Sequence, residues 1–164
     1  GMTWEGGQRV PGIFWGADIK PGVIDEIGST MDLFPTIVDL SNSEKISDRV
    51  IDGVNIKQTL LNHSQSERTN IIFYREREIY AIRHGEFKAH FIIKGSYNYP
   101  KGSNKKNVLD VPLLFNLDLD PSEKYNIAEK YPEKVKEIKK IAEDHINSFD
   151  PPKSLLDTRN SNKF

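Results

Sequence analysis

The stretch NIIFYREREIYAIRHGEFKAHFIIK, residues 70–94, decides the fold of this chain. β-Branched and aromatic residues dominate it, which is typical of strands. Arg77 and the pair His84-Gly85 interrupt the pattern where tight hairpin turns would lie. The stretch therefore predicts three strands that pair in sequence, over residues 70–76, 78–84 and 87–94.

Downstream, the apolar run 113–118 predicts a fourth strand, and the basic segment 95–110 before it is predicted to be a long, flexible excursion. Tyr131-Pro132 opens the clearest helical pattern, whose apolar stripe runs to Phe149. Asp120-Pro-Ser-Glu123 predicts another helix start, with Asp at the N-cap, Pro at N1 and Glu at N3. Capping accounts for both carboxylates, so no metal site is predicted there.

Upstream, the chain predicts one more strand and two more helices. Gly12–Trp15 is apolar and predicts a short strand, while Ser29–Leu40 predicts a helix capped by Ser29 or Thr30. Val54–Asn62 predicts a further short helix. The fold class is therefore α+β: a four-stranded antiparallel sheet packed against a C-terminal helix, preceded by a strand and a helix.

Composition excludes several classes of function. The net charge of −1 gives no global field that would recruit nucleic acid or an anionic membrane. No apolar run approaches the roughly 20 residues that span a bilayer. Cysteine is absent, which excludes disulfides, thiolate metal sites and a cysteine nucleophile in this chain.

Six blocks, in the same order, resemble conserved segments of the sulfatase family, the sulfate-ester hydrolases of the alkaline-phosphatase-like superfamily. The first is Thr-Trp-Glu-Gly-Gly-Gln-Arg-Val-Pro at Thr3–Pro11. The versions Lys-Ala-His-Phe and Pro-Leu-Leu-Phe are similar to the arylsulfatase A and N-acetylgalactosamine-6-sulfatase branch. The other five blocks are Ser29–Leu40, Asp48–Gly53, Phe73–Arg75, Ala81–Phe91 and Pro112–Glu123.

The resemblance implies a division of the chain. In this family the Thr3–Pro11 segment follows the nucleophile and most metal ligands, so we expect the chain to be the C-terminal region of a longer enzyme and to need the N-terminal catalytic region as its partner. Residues 1–66 are then the end of the large α/β domain, to which the upstream strand and helix belong. Residues 67–152 are the C-terminal subdomain, and 153–164 a flexible tail.

The resemblance also implies calcium and a formylglycine nucleophile for the full-length parent, the latter formed from the Cys or Ser of Cys/Ser-x-Pro-x-Arg. This chain has no Cys, and no Ser is followed by x-Pro-x-Arg. The catalytic lysine of the family would lie one position before Gly1. We therefore expect no catalytic residue, no metal ligand and no turnover from this chain alone.

Five residues are predicted to lie near the site. His90, in the middle of a strand, and Lys94 and Asn98, at the start of the following loop, are predicted to contact a sulfated substrate. For His90 the alternative is a histidine packed in the sheet, and for the loop it is simple solvation. Glu5 and Arg9 are predicted to form a structural ion pair behind the active site.

These inferences leave three functions open. The first is the C-terminal part of a sulfatase that acts on a sulfated carbohydrate or aryl sulfate, in a periplasmic, secreted or lysosomal-type compartment. The second is a non-catalytic binding module, and the third is part of a related phosphatase or phosphodiesterase. We also expect self-association through apolar side chains that the rest of a longer enzyme would cover: Phe14, Trp15, Phe34 and Ile37.

Overall fold

The computed structural model describes residues 3–16, 18–44, 47–75, 77–94 and 106–148. Contacts divide the chain into two units, one of which combines Gly1–Arg9 with Ile72–Phe164, while the other is Val10–Ile71. None of the helices within the described ranges has the length and apolarity to cross a membrane.

The first unit is built on the predicted four-stranded sheet, with spatial order β1-β2-β3-β4 and antiparallel pairing of β3 with both of its neighbours. Gly85 adopts a φ of 57° in the turn between β2 and β3, a conformation that glycine accepts without strain. The predicted α+β class is therefore confirmed. The strands are β1 (Asn70–Arg75), β2 (Glu78–His84), β3 (Phe87–Lys94) and β4 (Lys106–Asn116).

Strand β4 begins earlier than predicted, because Lys106–Asp110 belongs to it and not to a flexible excursion. The ladder with β3 pairs His90 with Leu113 but Ile92 with Val108, so β4 carries extra residues at this point. Pro112 lies in the irregularity, where its missing N–H costs no ladder hydrogen bond. Because of this irregularity, the sequence pattern did not indicate the first half of the strand. The remainder of the predicted excursion, residues 95–105, lies outside the described residues.

Helix α4 (Pro132–Ser148) begins as predicted and covers one face of the sheet. Its end near Phe149 lies outside the described residues, and Ile146, assigned to the stripe, is exposed. The side chains that form the shared core are Ile82, Phe87, Ala89 and Leu114 from the sheet and Val135, Ile138 and Ala142 from α4. Because side chains alternate along a strand, Lys88 and His90 must point to the opposite face.

The predicted helix start at Asp120 is wrong. Residues 117–130 form turns, in which the Asp120 carboxylate accepts hydrogen bonds from the backbone N–H groups of Lys124 and Tyr125. Glu123 adopts a φ of 53°, which is incompatible with a continuing helix. Its side chain is buried and is used elsewhere, as described below.

The second unit contains the predicted helix after Ser29, formed by a 3₁₀ turn (Thr30–Asp32) and α2 (Leu33–Leu40), and then α3 (Lys57–Asn62). Ser29 and Asp32 form a capping box. The predicted strand at Gly12–Trp15 is wrong: no backbone partner pairs with it among the described residues, and Trp15 is 95% exposed.

A buried ion pair organises this second unit. The Asp32 carboxylate binds the Arg68 guanidinium and accepts hydrogen bonds from the backbone N–H groups of Val54 and Ser29. Although burial alone favours the neutral acid, these donors hold the pKa of Asp32 below its ordinary value. Arg68 also donates to the backbone oxygens of Asp52 and Asn70. One pair of side chains thus joins three separate stretches, residues 29–32, 52–54 and 68–70.

Candidate functional site

Buried charge is concentrated on the face of the sheet opposite α4. Glu5, from the short helix α1 (Glu5–Gln8), contacts Lys88 of β3 and Glu123 of the turns after β4, and Glu123 in turn contacts His90 of β3. Lys88 and His90 have no exposed surface at all. Buried charges are costly unless they are paired and hydrogen-bonded, so each partner in this cluster matters.

Lys88 is fully satisfied by three oxygens. Its Nζ donates to the backbone oxygen of Thr3 at 2.6 Å and to Glu5 Oε1 at 2.7 Å, and lies 3.2 Å from Glu123 Oε1. An ammonium group has three donors, and this geometry provides an acceptor for each of them. The Phe73 ring, with its centroid 4.5 Å from Nζ, adds a cation–π contact.

Glu123 uses both carboxylate oxygens. Oε2 accepts from the backbone N–H of Glu5 at 2.6 Å, and Oε1 lies 2.6 Å from His90 Nε2. Burial by itself would raise the pKa of Glu123, but the hydrogen bond with His90 and the Lys88 ammonium outweigh it and lower the pKa. Glu123 is therefore ionised and can only accept hydrogen bonds.

His90 is a neutral imidazole with its proton on Nε2. Burial lowers its pKa, against the opposing influence of Glu123, and an ionised Glu123 requires Nε2 to be the donor. Nδ1 is then an acceptor, and it has no hydrogen-bond partner among the described residues. The ring stacks on Trp4 at a centroid distance of 4.1 Å and packs edge-to-face with Phe115 at a centroid distance of 5.9 Å.

Three side chains thus hold three consecutive residues. We call these side chains the clamp: Lys88, His90 and Glu123. Thr3 is bound through its backbone oxygen, Trp4 through its ring, and Glu5 through both its backbone N–H and its carboxylate. The clamp fixes the Thr3–Glu5 segment on the sheet. Its polar groups, except for His90 Nδ1, are engaged in these contacts, so the arrangement serves to hold the segment in place.

The predicted site residues fall in different places. Glu5 is buried as an ion-pair partner, but its partner is Lys88, whereas Arg9 lies at the surface. Lys94 is half-buried at the end of β3, opposite Lys106, and Asn98 lies outside the described residues. Substrate contact by His90, Lys94 and Asn98 remains a prediction.

Sequence reasoning missed two members of the clamp. Lys88 shares the parity of His90 in a strand whose other face is apolar, and that signal could have placed both on one buried face. Glu123 was assigned to a helix cap, and the capping pattern concealed its role. No local pattern links Glu123 to residues more than 30 positions away.

The described residues do not fit a metal ion. Within the described ranges, no three His, Asp or Glu side chains converge in a way that could hold one. The carboxylates of Glu5 and Glu123 are already engaged by Lys88, His90 and a backbone N–H.

Known families provide a comparison. Residues 66–163 match the family described as the C-terminal region of aryl-sulfatase. Arylsulfatase A of Bos taurus is 34% identical over 158 residues, covering 86% of this chain and 31% of the relative. N-acetylgalactosamine-6-sulfatase of Mus musculus is 29% identical over 180 residues, covering 96% of this chain and 34% of the relative. The chain thus spans about a third of the length of these relatives.

Solved structures share the fold. A 6S-sulfatase structure from work on glycosaminoglycan metabolism by Bacteroides thetaiotaomicron superposes with a TM-score of 0.59 and 26% identity, over 77% of this chain and 26% of that chain. The PsFucS1 sulfatase from Pseudoalteromonas sp. gives a TM-score of 0.61 at 21% identity, over 71% of this chain and 25% of that chain, which speaks to the fold alone.

Proposed function

Since this chain belongs to the sulfatase family, as the match to its C-terminal region establishes, we propose that it forms the C-terminal part of an enzyme that hydrolyses sulfate esters. One observation carries the proposal beyond family membership. The family segment Thr3–Glu5 is held on the sheet by the clamp, with Lys88 Nζ 2.6 Å from the Thr3 oxygen. The C-terminal sheet therefore supports the segment that the resemblance places behind the reacting centre.

The chain contributes support rather than reactive groups. Sulfate-ester hydrolysis needs a nucleophile at sulfur, cations that neutralise the nonbridging oxygens, and an acid for the leaving oxygen. In the clamp, three oxygens surround Lys88 Nζ, and the one N–H group of the His90 ring donates a hydrogen bond to Glu123. We propose that calcium and a formylglycine nucleophile, which the family resemblance implies, are not supplied by the described residues of this chain.

The names of the relatives, arylsulfatase A and N-acetylgalactosamine-6-sulfatase, support a proposal for the substrate class. We propose a sulfated carbohydrate or aryl sulfate as the substrate of the whole protein. We propose Lys94 and Asn98 as substrate contacts. His90, which is also predicted to contact the substrate, has no exposed surface, so its contact is not part of this proposal. The domain boundaries predicted from the sequence, after residues 66 and 152, are part of the same proposal.

The proposal is tested by measuring sulfate release by the full-length protein whose reading frame contains this chain. An aryl sulfate, a 6-sulfated N-acetylgalactosamine and an aryl phosphate are each incubated with the full-length protein and with residues 1–164 alone. We expect the full-length protein to release sulfate from at least one sulfate ester, and residues 1–164 to release none. Phosphate release without sulfate release would overturn the proposal in favour of a phosphatase. Sulfate release by residues 1–164 would overturn the supporting role.

A further inference from the structure

Glu123 is the member of the clamp that connects its two halves. Oε2 binds the segment, through the Glu5 N–H at 2.6 Å, whereas Oε1 binds the sheet, through His90 Nε2 at 2.6 Å and Lys88 Nζ at 3.2 Å. Lys88 also binds the segment, but it approaches from β3 and depends on the two carboxylates for its charge balance. Loss of Glu123 would remove its contacts with the Glu5 N–H, His90 and Lys88 together.

The backbone at Glu123 is shaped for this purpose. The turn after β4 brings residue 123 into the left-handed region, φ 53°, which is uncommon for a residue with a long side chain. Asp120 stabilises the turn by accepting hydrogen bonds from the backbone N–H groups of Lys124 and Tyr125. The carboxylate is thereby directed into the face of the sheet and is buried there.

Glu123 also decides which nitrogen of His90 carries the proton. Two tautomers of a neutral imidazole are close in energy in water, and the acceptor on one nitrogen selects between them. Here the acceptor is a carboxylate at Nε2, so Nδ1 keeps its lone pair in a buried position beside the Trp4 ring. A change at Glu123 is therefore transmitted to the ring that supports Trp4.

We propose that Glu123 is a positioning residue: it sets the place of the Thr3–Glu5 segment and the Nε2-protonated tautomer of His90, and through them the geometry of the reacting centre. The first part concerns residues 1–164 alone. The second rests on the proposed sulfatase function. Glutamine at position 123 has one acceptor oxygen and one NH₂ group, so it must turn a donor towards either the Glu5 N–H or His90.

The first experiment is NMR of residues 1–164 with ¹⁵N-labelled histidine, in the wild type, Glu123→Gln and the matched control Glu129→Gln. Glu129 is exposed and follows Glu123 in the same turn region. We expect the wild type and the control to show a single Nε2–H tautomer of His90, and Glu123→Gln to show a mixture or the Nδ1–H form. An Nδ1–H tautomer in the wild type would overturn the proposal, even if Glu123→Gln does not fold.

The second experiment measures kcat and KM for sulfate release by the full-length protein carrying the same substitutions. Glu123→Gln is expected to lower kcat about tenfold per folded molecule, with KM within about twofold, and Glu129→Gln to change neither. An unchanged kcat in folded Glu123→Gln would overturn the catalytic part of the proposal. A wild type that releases no sulfate would refute the proposed function instead, and the NMR result would still decide whether Glu123 positions the segment.

Discussion

Lys88 Nζ lies 2.7 Å from Glu5 Oε1, although 83 positions separate the two residues in the sequence. The pair joins the N-terminal segment to the third strand of a sheet that begins only at Asn70. The segment Gly1–Arg9 consequently belongs to the same compact unit as the C-terminal sheet and not to the residues that follow it directly.

Replacing Lys88 by Met should destabilise the protein by about 3–5 kcal/mol, because Glu5 and Glu123 would be left as buried, uncompensated carboxylates. Urea unfolding followed by circular dichroism measures the change. Lys136→Met, at an exposed position of α4, is the matched control and should shift the free energy of unfolding by less than about 0.5 kcal/mol. Equal effects at the two positions would show that the clamp does not stabilise the fold.

The free energy of unfolding should fall as the pH is lowered through about 6.5 and below, where an unfolded histidine takes up a proton. Burial holds the pKa of His90 below that value, so folded His90 stays neutral while the unfolded chain binds the proton. The groups around it are Glu123, Lys88, Glu5 and, opposite Lys88 in β2, Arg83.

Below about pH 4.5 the lowered pKa of Glu123 acts in the same direction, because the unfolded carboxyl group binds a proton first. Urea titrations between pH 4 and 8 test the dependence, with His90→Gln as the comparison. The variant should lose the part of the slope that begins as the pH falls through about 6.5. If it keeps the full wild-type slope there, His90 is not its source.

The strand pattern of residues 70–94 was sufficient to predict three strands and the antiparallel sheet, since alternation and turn residues are local signals. Helix α4 was predictable for the same reason. The clamp was only partly predictable: His90 could be selected as a site residue, but its contact with Glu123 and that of Lys88 with Glu5 join residues more than 30 positions apart. Glu123 was misassigned because a local capping pattern and a long-range ion pair use the same residue types.

Replacing Asp32 by Asn should cost about 3 kcal/mol of stability, because the buried Arg68 guanidinium would lose its compensating charge. The expected signal is a lower urea midpoint for the helices of the second unit. Asp48→Asn is the matched control, because its ion pair with Arg49 is exposed and should contribute nothing measurable. A control as destabilising as Asp32→Asn would contradict this explanation.

Gly53 should not tolerate alanine. A Cβ at this position would lie 2.1 Å from the backbone oxygen of Met31 and 2.9 Å from the Pro35 ring, so the backbone would have to move. We expect Gly53→Ala to destabilise the protein by about 1–3 kcal/mol, the usual range for overpacking. Gly28→Ala, where a Cβ would meet nothing within 4 Å, is the control for thermal unfolding. Equal midpoints for both variants would argue against close packing around Gly53.

The most direct test of the supporting role of the clamp is the rate at which the full-length protein releases sulfate from an aryl sulfate. The rate is compared between the wild type, Lys88→Met and Lys136→Met. The account predicts release by the wild type and by Lys136→Met, and at least a tenfold lower rate for Lys88→Met. A wild type that is folded but inactive on every sulfate ester tried, or a fully active Lys88→Met, would contradict it.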